Sequence, residues 1–144
     1  MKSYAVWLLM FGAFTSGASG QVLDERHVTV TPLFERYDAG SVVRLAVNNP
    51  TDALLHRSSC GTIVQRASGT GTWEAIGRPS CPPDRSRSVA LVMPHSTSHV
   101  DVPIPPSLAP GDYRVILDMR LEAGALLTDA HRISSRFRIE PAQK

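Results

Sequence analysis

Leu108-Ala109-Pro110-Gly111-Asp112-Tyr113-Arg114-Val115-Ile116-Leu117-Asp118-Met119-Arg120-Leu121 is the most informative stretch of this 144-residue chain. Pro110-Gly111 makes a turn, and Tyr113 opens the strand beyond it. From there every second residue is apolar: Tyr113, Val115, Leu117, Met119 and Leu121. Successive side chains of extended backbone point to opposite sides, so that period of two puts all five on one face of a strand.

The same pattern extends outward in both directions. On the C-terminal side, Ile133, Ser135, Phe137 and Ile139 share a face of the segment His131–Ile139, joined to the first strand by Glu122–Ala130. This predicts a long antiparallel hairpin with one buried side. On the N-terminal side, Val100, Val102 and Ile104 alternate with His99, Asp101 and Pro103. Pro103 marks that strand as an edge, because proline gives no N–H to an inner ladder. Ser88–Met93 is an apolar strand stopped by Pro94. Thr62–Arg66 and Thr72–Ile76 form a hairpin about the turn Ser68-Gly69-Thr70-Gly71. Leu54 and Leu55 open a short strand before Cys60. Val43, Leu45 and Val47 line one face of Val42–Asn48, with Arg44 on the other. Val28 and Val30 face inward from His27–Thr31. Tyr37-Asp38-Ala39-Gly40 and Asn48-Asn49-Pro50-Thr51-Asp52 read as turns.

Helical periodicity with caps is nearly absent. Seven to eight strands at regular spacing, without crossover helices, predict an all-β antiparallel sandwich rather than a parallel sheet. A composition of 42% hydrophobic and 19% charged residues is too apolar for a disordered chain, and the length suits one domain.

Residues 1–20 read as a secretory signal peptide. Lys2 supplies the positive start, Ala5–Phe14 the apolar run, and Ala18-Ser19-Gly20 the small-residue cleavage site. The run covers ten residues, whereas a spanning helix needs about 20, so no membrane span is expected. Residues 21–144 then form the mature domain. Lys2 is the only charge lost, and the net charge falls from +2 to +1. So weak a balance gives no general field to gather nucleic acid. Export also gives a reading for Cys60 and Cys81: an even pair in an oxidising compartment predicts one disulfide, closing a loop of about 20 residues and stabilising the fold by roughly 3 kcal/mol.

Leu108–Val115 also resembles the corner of immunoglobulin-like sandwiches, where a tyrosine hydroxyl ties to nearby backbone. The order of the other features is similar too: Asp38-Ala39-Gly40 before a strand ending Asn48-Asn49, then Cys60, Trp73, Cys81, the turn at Gly111, and Ser134–Ile139. Over residues 26–140 the chain resembles secreted bacterial immunoglobulin-like domains and, more distantly, the bacterial intracellular proteinase inhibitor family. The resemblance implies an immunoglobulin-like β-sandwich with Trp73, Gly111 and Tyr113 as structural residues, and a binding or supporting role. Two features depart from it. No cysteine stands where a lipoprotein carries its lipid. A Trp-bearing hairpin separates the cysteines, unlike the inter-sheet bridge of antibody domains.

Candidate chemistry is sparse. His95 and His99 are four apart, about 13 Å on an extended strand, too far for one metal ion. No nucleophile elbow, zinc-protease motif or phosphate loop occurs, so neither catalysis, metal nor cofactor is expected. Arg114 and Arg120, with Arg132, Arg136 and Arg138 on the last strand, form a candidate basic stripe for an anionic ligand. The simpler reading is a solvated face with cross-strand pairs to Asp118, Glu122 and Glu140. Arg57–Cys60 and Arg78–Pro83 make a stiffened loop region that Trp73 is expected to cap, packing on the disulfide. The functional expectation is an exported, noncatalytic binding or structural module, secreted or periplasmic, whose partner is a protein or glycan of the envelope or medium. The alternative is a protease inhibitor acting through an exposed rigid loop.

Overall fold

A computed structural model of the protein describes residues 28–77, 89–122 and 124–142. The signal segment, His27, Ser88 and Cys81 lie outside the described residues. Among the described residues the fold is all-β, apart from a single helical turn, α1 (Asp129–Arg132). In chain order the strands are β1 (Thr29–Pro32), β2 (Arg36–Asp38), β3 (Val42–Asn49), β4 (Leu55–Ala67), β5 (Trp73–Gly77), β6 (Val89–Val92), β7 (Ser96–Pro103), β8 (Gly111–Leu121) and β9 (Phe137–Glu140).

Two sheets carry them. The smaller has the order β1-β3-β7, and the larger β2-β9-β8-β4-β5, with β6 pairing the other end of β4. Alternation decides which faces meet. Val43, Leu45 and Val47 of β3 and Val100 and Val102 of β7 turn inward from the smaller sheet. Tyr113, Val115, Leu117 and Met119 of β8 and Phe137 and Ile139 of β9 meet them from the larger, in one continuous core. Leu45, Leu117 and Met119 are fully buried. Burial of each such side chain contributes about 1.5–3 kcal/mol. Pro103 does stand on an edge strand, β7.

Three expectations need correction. The described residues hold nine strands, not seven or eight, because Arg36-Tyr37-Asp38 forms a strand where the sequence suggests a turn. The pairing is mixed rather than antiparallel throughout, since β2 runs parallel to β9. Tyr37 carries that change: its ring is buried edge-on against Phe137, with centroids 5.6 Å apart. Its hydroxyl accepts from the Phe34 N–H and donates to the Arg44 carbonyl. Anchored between the sheets, Tyr37 draws its strand alongside β9.

The third correction concerns the last hairpin. β8 and β9 pair regularly only from Gly111↔Ile139 to Tyr113↔Phe137. Beyond that α1 intervenes, and Arg132 sits in it rather than on a strand. Ser134, not Ser135, is the buried residue. Its N–H donates to the Val115 carbonyl at 2.8 Å, and its hydroxyl accepts the Val115 N–H at 2.9 Å. One serine thus satisfies both backbone groups of Val115, and the chain can leave the ladder without orphaning a buried strand.

The corner at Pro110-Gly111 has the expected form. Tyr113 is buried, and its hydroxyl donates to the Ala109 carbonyl. Desolvation pushes the phenol above its ordinary pKa, so it stays a donor. Tyr113→Phe keeps the ring and leaves Ala109 without this donor. A loss of about 1–2 kcal/mol is expected in urea unfolding, with an unchanged slope.

Candidate binding cleft

Parallel pairing of β2 on β9 places Arg36 opposite Arg138, and antiparallel pairing of β8 on β9 places Asp112 on the other side of Arg138. The inward neighbours Tyr37, Phe137 and Tyr113 hold these three outward, by the same alternation that builds the core. Arg136 lies two residues before Arg138 and shares its face. Together with Glu35 they line an open cleft of about 370 Å³ on the outer surface of the larger sheet. That volume lies within the usual range of ligand clefts.

The charges in the cleft are only loosely satisfied. Arg136 Nη1 lies 3.6 Å from Asp112 Oδ2, and Arg138 Nη1 lies 3.7 Å from Asp112 Oδ1. These are ion pairs beyond hydrogen-bond length. Arg36 is better held, donating to Glu140 Oε1 at 3.1 Å. Exposed pairs of this kind contribute about 0–1 kcal/mol each. The backbone beneath is firmer: the Arg138 N–H donates to the Glu35 carbonyl at 2.8 Å and fixes the two walls together.

The five arginines of the expected stripe are not brought into one site. Arg136 and Arg138 line the cleft. Arg114 donates from Nε to Gln65 Oε1 at 2.7 Å, and its guanidinium lies 4.4 Å above the Trp73 ring. Arg120 donates to Asp118 at 3.1 Å and to the Gly124 carbonyl. Arg132 bonds Asp129 within α1. Of the expected acidic partners, Asp118 pairs with Arg120, but Glu140 pairs with Arg36. Sequence reasoning missed Glu35, Arg36 and Asp112 as parts of one cleft. The polar–aromatic–polar alternation of Arg36-Tyr37-Asp38 is the signal that could have found β2, though three residues is short for a strand.

Trp73 also departs from expectation. It pairs with Ala67, about seven residues along β4 from Cys60, hence roughly 23 Å away, and it stacks on Arg114 instead of packing at that cysteine. Cys60 is half-buried where the β4–β8 register slips. Cys81 and the loop Arg78–Pro83 lie outside the described residues. Arg57 is half-buried, its Nε finds no partner among the described residues, and desolvation lowers its pKa. His95 sits in a turn with Nε2 at 2.7 Å from Asp52 Oδ1, and His99 lies along β7 opposite Ala46.

A second charged pair lies on the outer face of the smaller sheet. Arg44 donates from Nε and Nη2 to the two carboxylate oxygens of Asp101, at 2.7 and 3.0 Å. That fork holds the Asp101 pKa below its ordinary value. A depressed carboxylate stabilises the fold above its unfolded pKa, and the contribution disappears as pH falls through the folded one. Asp101→Asn is therefore expected to lose less stability than the wild type on acidification from about pH 5 to about pH 2. Thermal melts across that window check it.

No protein-family model matches the chain, and no curated protein matches it. Among solved structures, it is similar to the Pseudomonas fluorescens alkylpurine DNA glycosylase AlkC bound to DNA containing an abasic site analog. That match has a TM-score of 0.40 and 12% identity over 78% of this chain, which spans 30% of the glycosylase chain. It is also similar to an ASH/PapD-like domain (PapD-like domain 7) of human CEP192. There the TM-score is 0.33, with 16% identity over 79% of this chain and 82% of the other. No helix among the described residues is long and apolar enough to cross a membrane.

Proposed function

We propose that this protein is an exported, noncatalytic immunoglobulin-like domain that acts as a binding module in the periplasm or outside the cell. The observation that carries the reading is the strand order. In immunoglobulin terms β1-β3-β7 correspond to A-B-E, and β9-β8-β4-β5 to G-F-C-C′, with β8 bearing the corner tyrosine at the start of strand F. Residues 1–20 are the signal peptide in this reading, and Cys60 and Cys81 form its one disulfide. Binding falls to the cleft of Glu35, Arg36, Asp112, Arg136 and Arg138, because it gathers charged groups that the fold itself uses little. The partner is a glycan or protein of the envelope or medium.

Mass spectrometry of exported material tests the reading. A mature chain beginning at or near Gln21, with both cysteines protected from alkylation until reduction, is expected. An intact Met1 form with two reactive thiols would overturn it.

A further inference from the structure

The cleft offers both signs of charge, and that mixture bears on its ligand. Arg36 and Arg138 are direct neighbours across the β2–β9 pair and point the same way. Like charges in that relation are unfavourable. Arg136 adds a third cation on the same face. Glu140 on β9 neutralises Arg36, whereas Asp112 stays beyond hydrogen-bond length from both Arg136 and Arg138. Neither of those guanidinium groups donates a hydrogen bond to another described residue. Two planar forks thus rise from backbone positions about one strand repeat apart, both beside Asp112 and with their donors open, suited to grip a carboxylate or similar oxyanion. Glu35 and Asp112 supply acceptors beside them, and neither finds a hydrogen-bond donor for its side chain among the described residues.

We propose that this cleft binds an acidic sugar unit of a polysaccharide. The inference rests on the binding-module reading above and adds the ligand's chemistry. The acid group of the sugar meets Arg136 and Arg138, and its hydroxyls donate to Glu35 and Asp112. Each alternative ligand leaves part of the cleft unused. A bare anion gains from the arginines but is opposed by two carboxylates. A neutral sugar leaves two open guanidinium forks unmatched. A polymer suits the geometry because the cleft is open on the sheet surface rather than enclosed.

Three polymers separate these cases in calorimetric titrations of the mature protein. Polygalacturonate carries carboxylates and hydroxyls, poly-L-glutamate carboxylates alone, and dextran hydroxyls alone. Polygalacturonate is expected to bind at least roughly tenfold more tightly than either of the others. In Arg136→Gln/Arg138→Gln that affinity is expected to fall at least roughly tenfold, with an unchanged melting temperature showing the fold intact. Should the melt shift, Arg138→Lys alone, which keeps the charge at an exposed position and loses the planar fork, is expected to weaken polygalacturonate binding. Equal binding of poly-L-glutamate, tighter binding of dextran, no binding of polygalacturonate, or full affinity in the double variant would each overturn the proposal. The mass-spectrometric test of export stands apart from these results, so a failed titration removes the ligand class and leaves the module reading to be judged separately.

Discussion

Asn49→Ala is expected to destabilise the protein by about 3 kcal/mol, lowering the melting temperature by roughly 10–15 °C for a domain of this size. Asn49 is fully buried at the end of β3. Its amide donates to the Ala53 carbonyl at 2.8 Å, to Met93 at 3.1 Å and to Val92 at 3.4 Å. Its carbonyl oxygen accepts from the Thr51 N–H at 3.2 Å and the Thr51 hydroxyl at 2.6 Å. One side chain therefore closes the turn after β3 and ties the smaller sheet to the end of β6 in the larger. Alanine leaves several carbonyls and one N–H without these partners. Each buried group left unsatisfied costs about 1–3 kcal/mol, and water entering the turn recovers part. Asn49→Asp keeps the acceptor and loses the donors, so it separates the two halves of the network. Guanidinium unfolding of both variants provides the check. A loss under about 0.5 kcal/mol in the alanine variant would show that Asn49 is only a turn former.

Gly61→Ala is expected to cost about 2–4 kcal/mol, for a steric rather than a polar reason. Gly61 lies where β4 slips relative to β8, between Ser58 and Ile63. A Cβ there would fall 2.2 Å from Asp118 Cβ and 2.6 Å from Asp118 Oδ2. The nearest atom is next to the backbone, so rotation of the Asp118 side chain does not clear it. Either β4 shifts away from β8 or the slip is lost, and both disturb the central pair of the larger sheet. Removing the opposing side chain with Asp118→Gly should restore space. The double variant is thus expected to be more stable than the sum of the two single effects, a coupling that a thermodynamic cycle measures. Simple additivity would mean the two residues do not meet.

Much of the frame was legible because burial follows a period of two along β3, β7 and most of β8, although the longest strand, β4, breaks the alternation where its register slips. The sequence alternation over β3 and β7, and the odd residues of β8 from Tyr113 to Met119, match the buried positions, while Ile116 is buried as well and Leu121 is only half-buried. The hairpin of β4 and β5 was also legible, since Ser68–Gly71 is a polar, glycine-bearing turn between two β-prone runs. Periodicity misled at Ile133–Ile139. There a buried serine that bonds backbone looks the same in sequence as an exposed one, so the phase change across Ser134 could not be read. β2 was missed because three residues carry too little alternation to outweigh the turn signal of Asp38-Ala39-Gly40. That omission hid the cleft, which exists only where β2 and β9 meet. Pairing distant segments is a tertiary outcome: Tyr37 packs on Phe137, far along the chain, and no local pattern encodes that choice. Arg132 was misplaced because the expected strand runs through the residues that form α1.

The parallel seating of β2 on β9 is the feature on which the binding cleft depends, and it is directly measurable. Nuclear Overhauser spectra of the mature protein should show cross-strand contacts between the backbones of Tyr37 and Ile139 and of Arg36 and Arg138, in parallel register. The Arg138 amide, held by the Glu35 carbonyl, should exchange slowly with solvent. Absence of those contacts together with rapid exchange at Arg138 would mean that Arg36 does not stand beside Arg136 and Arg138, and the cleft would have no wall.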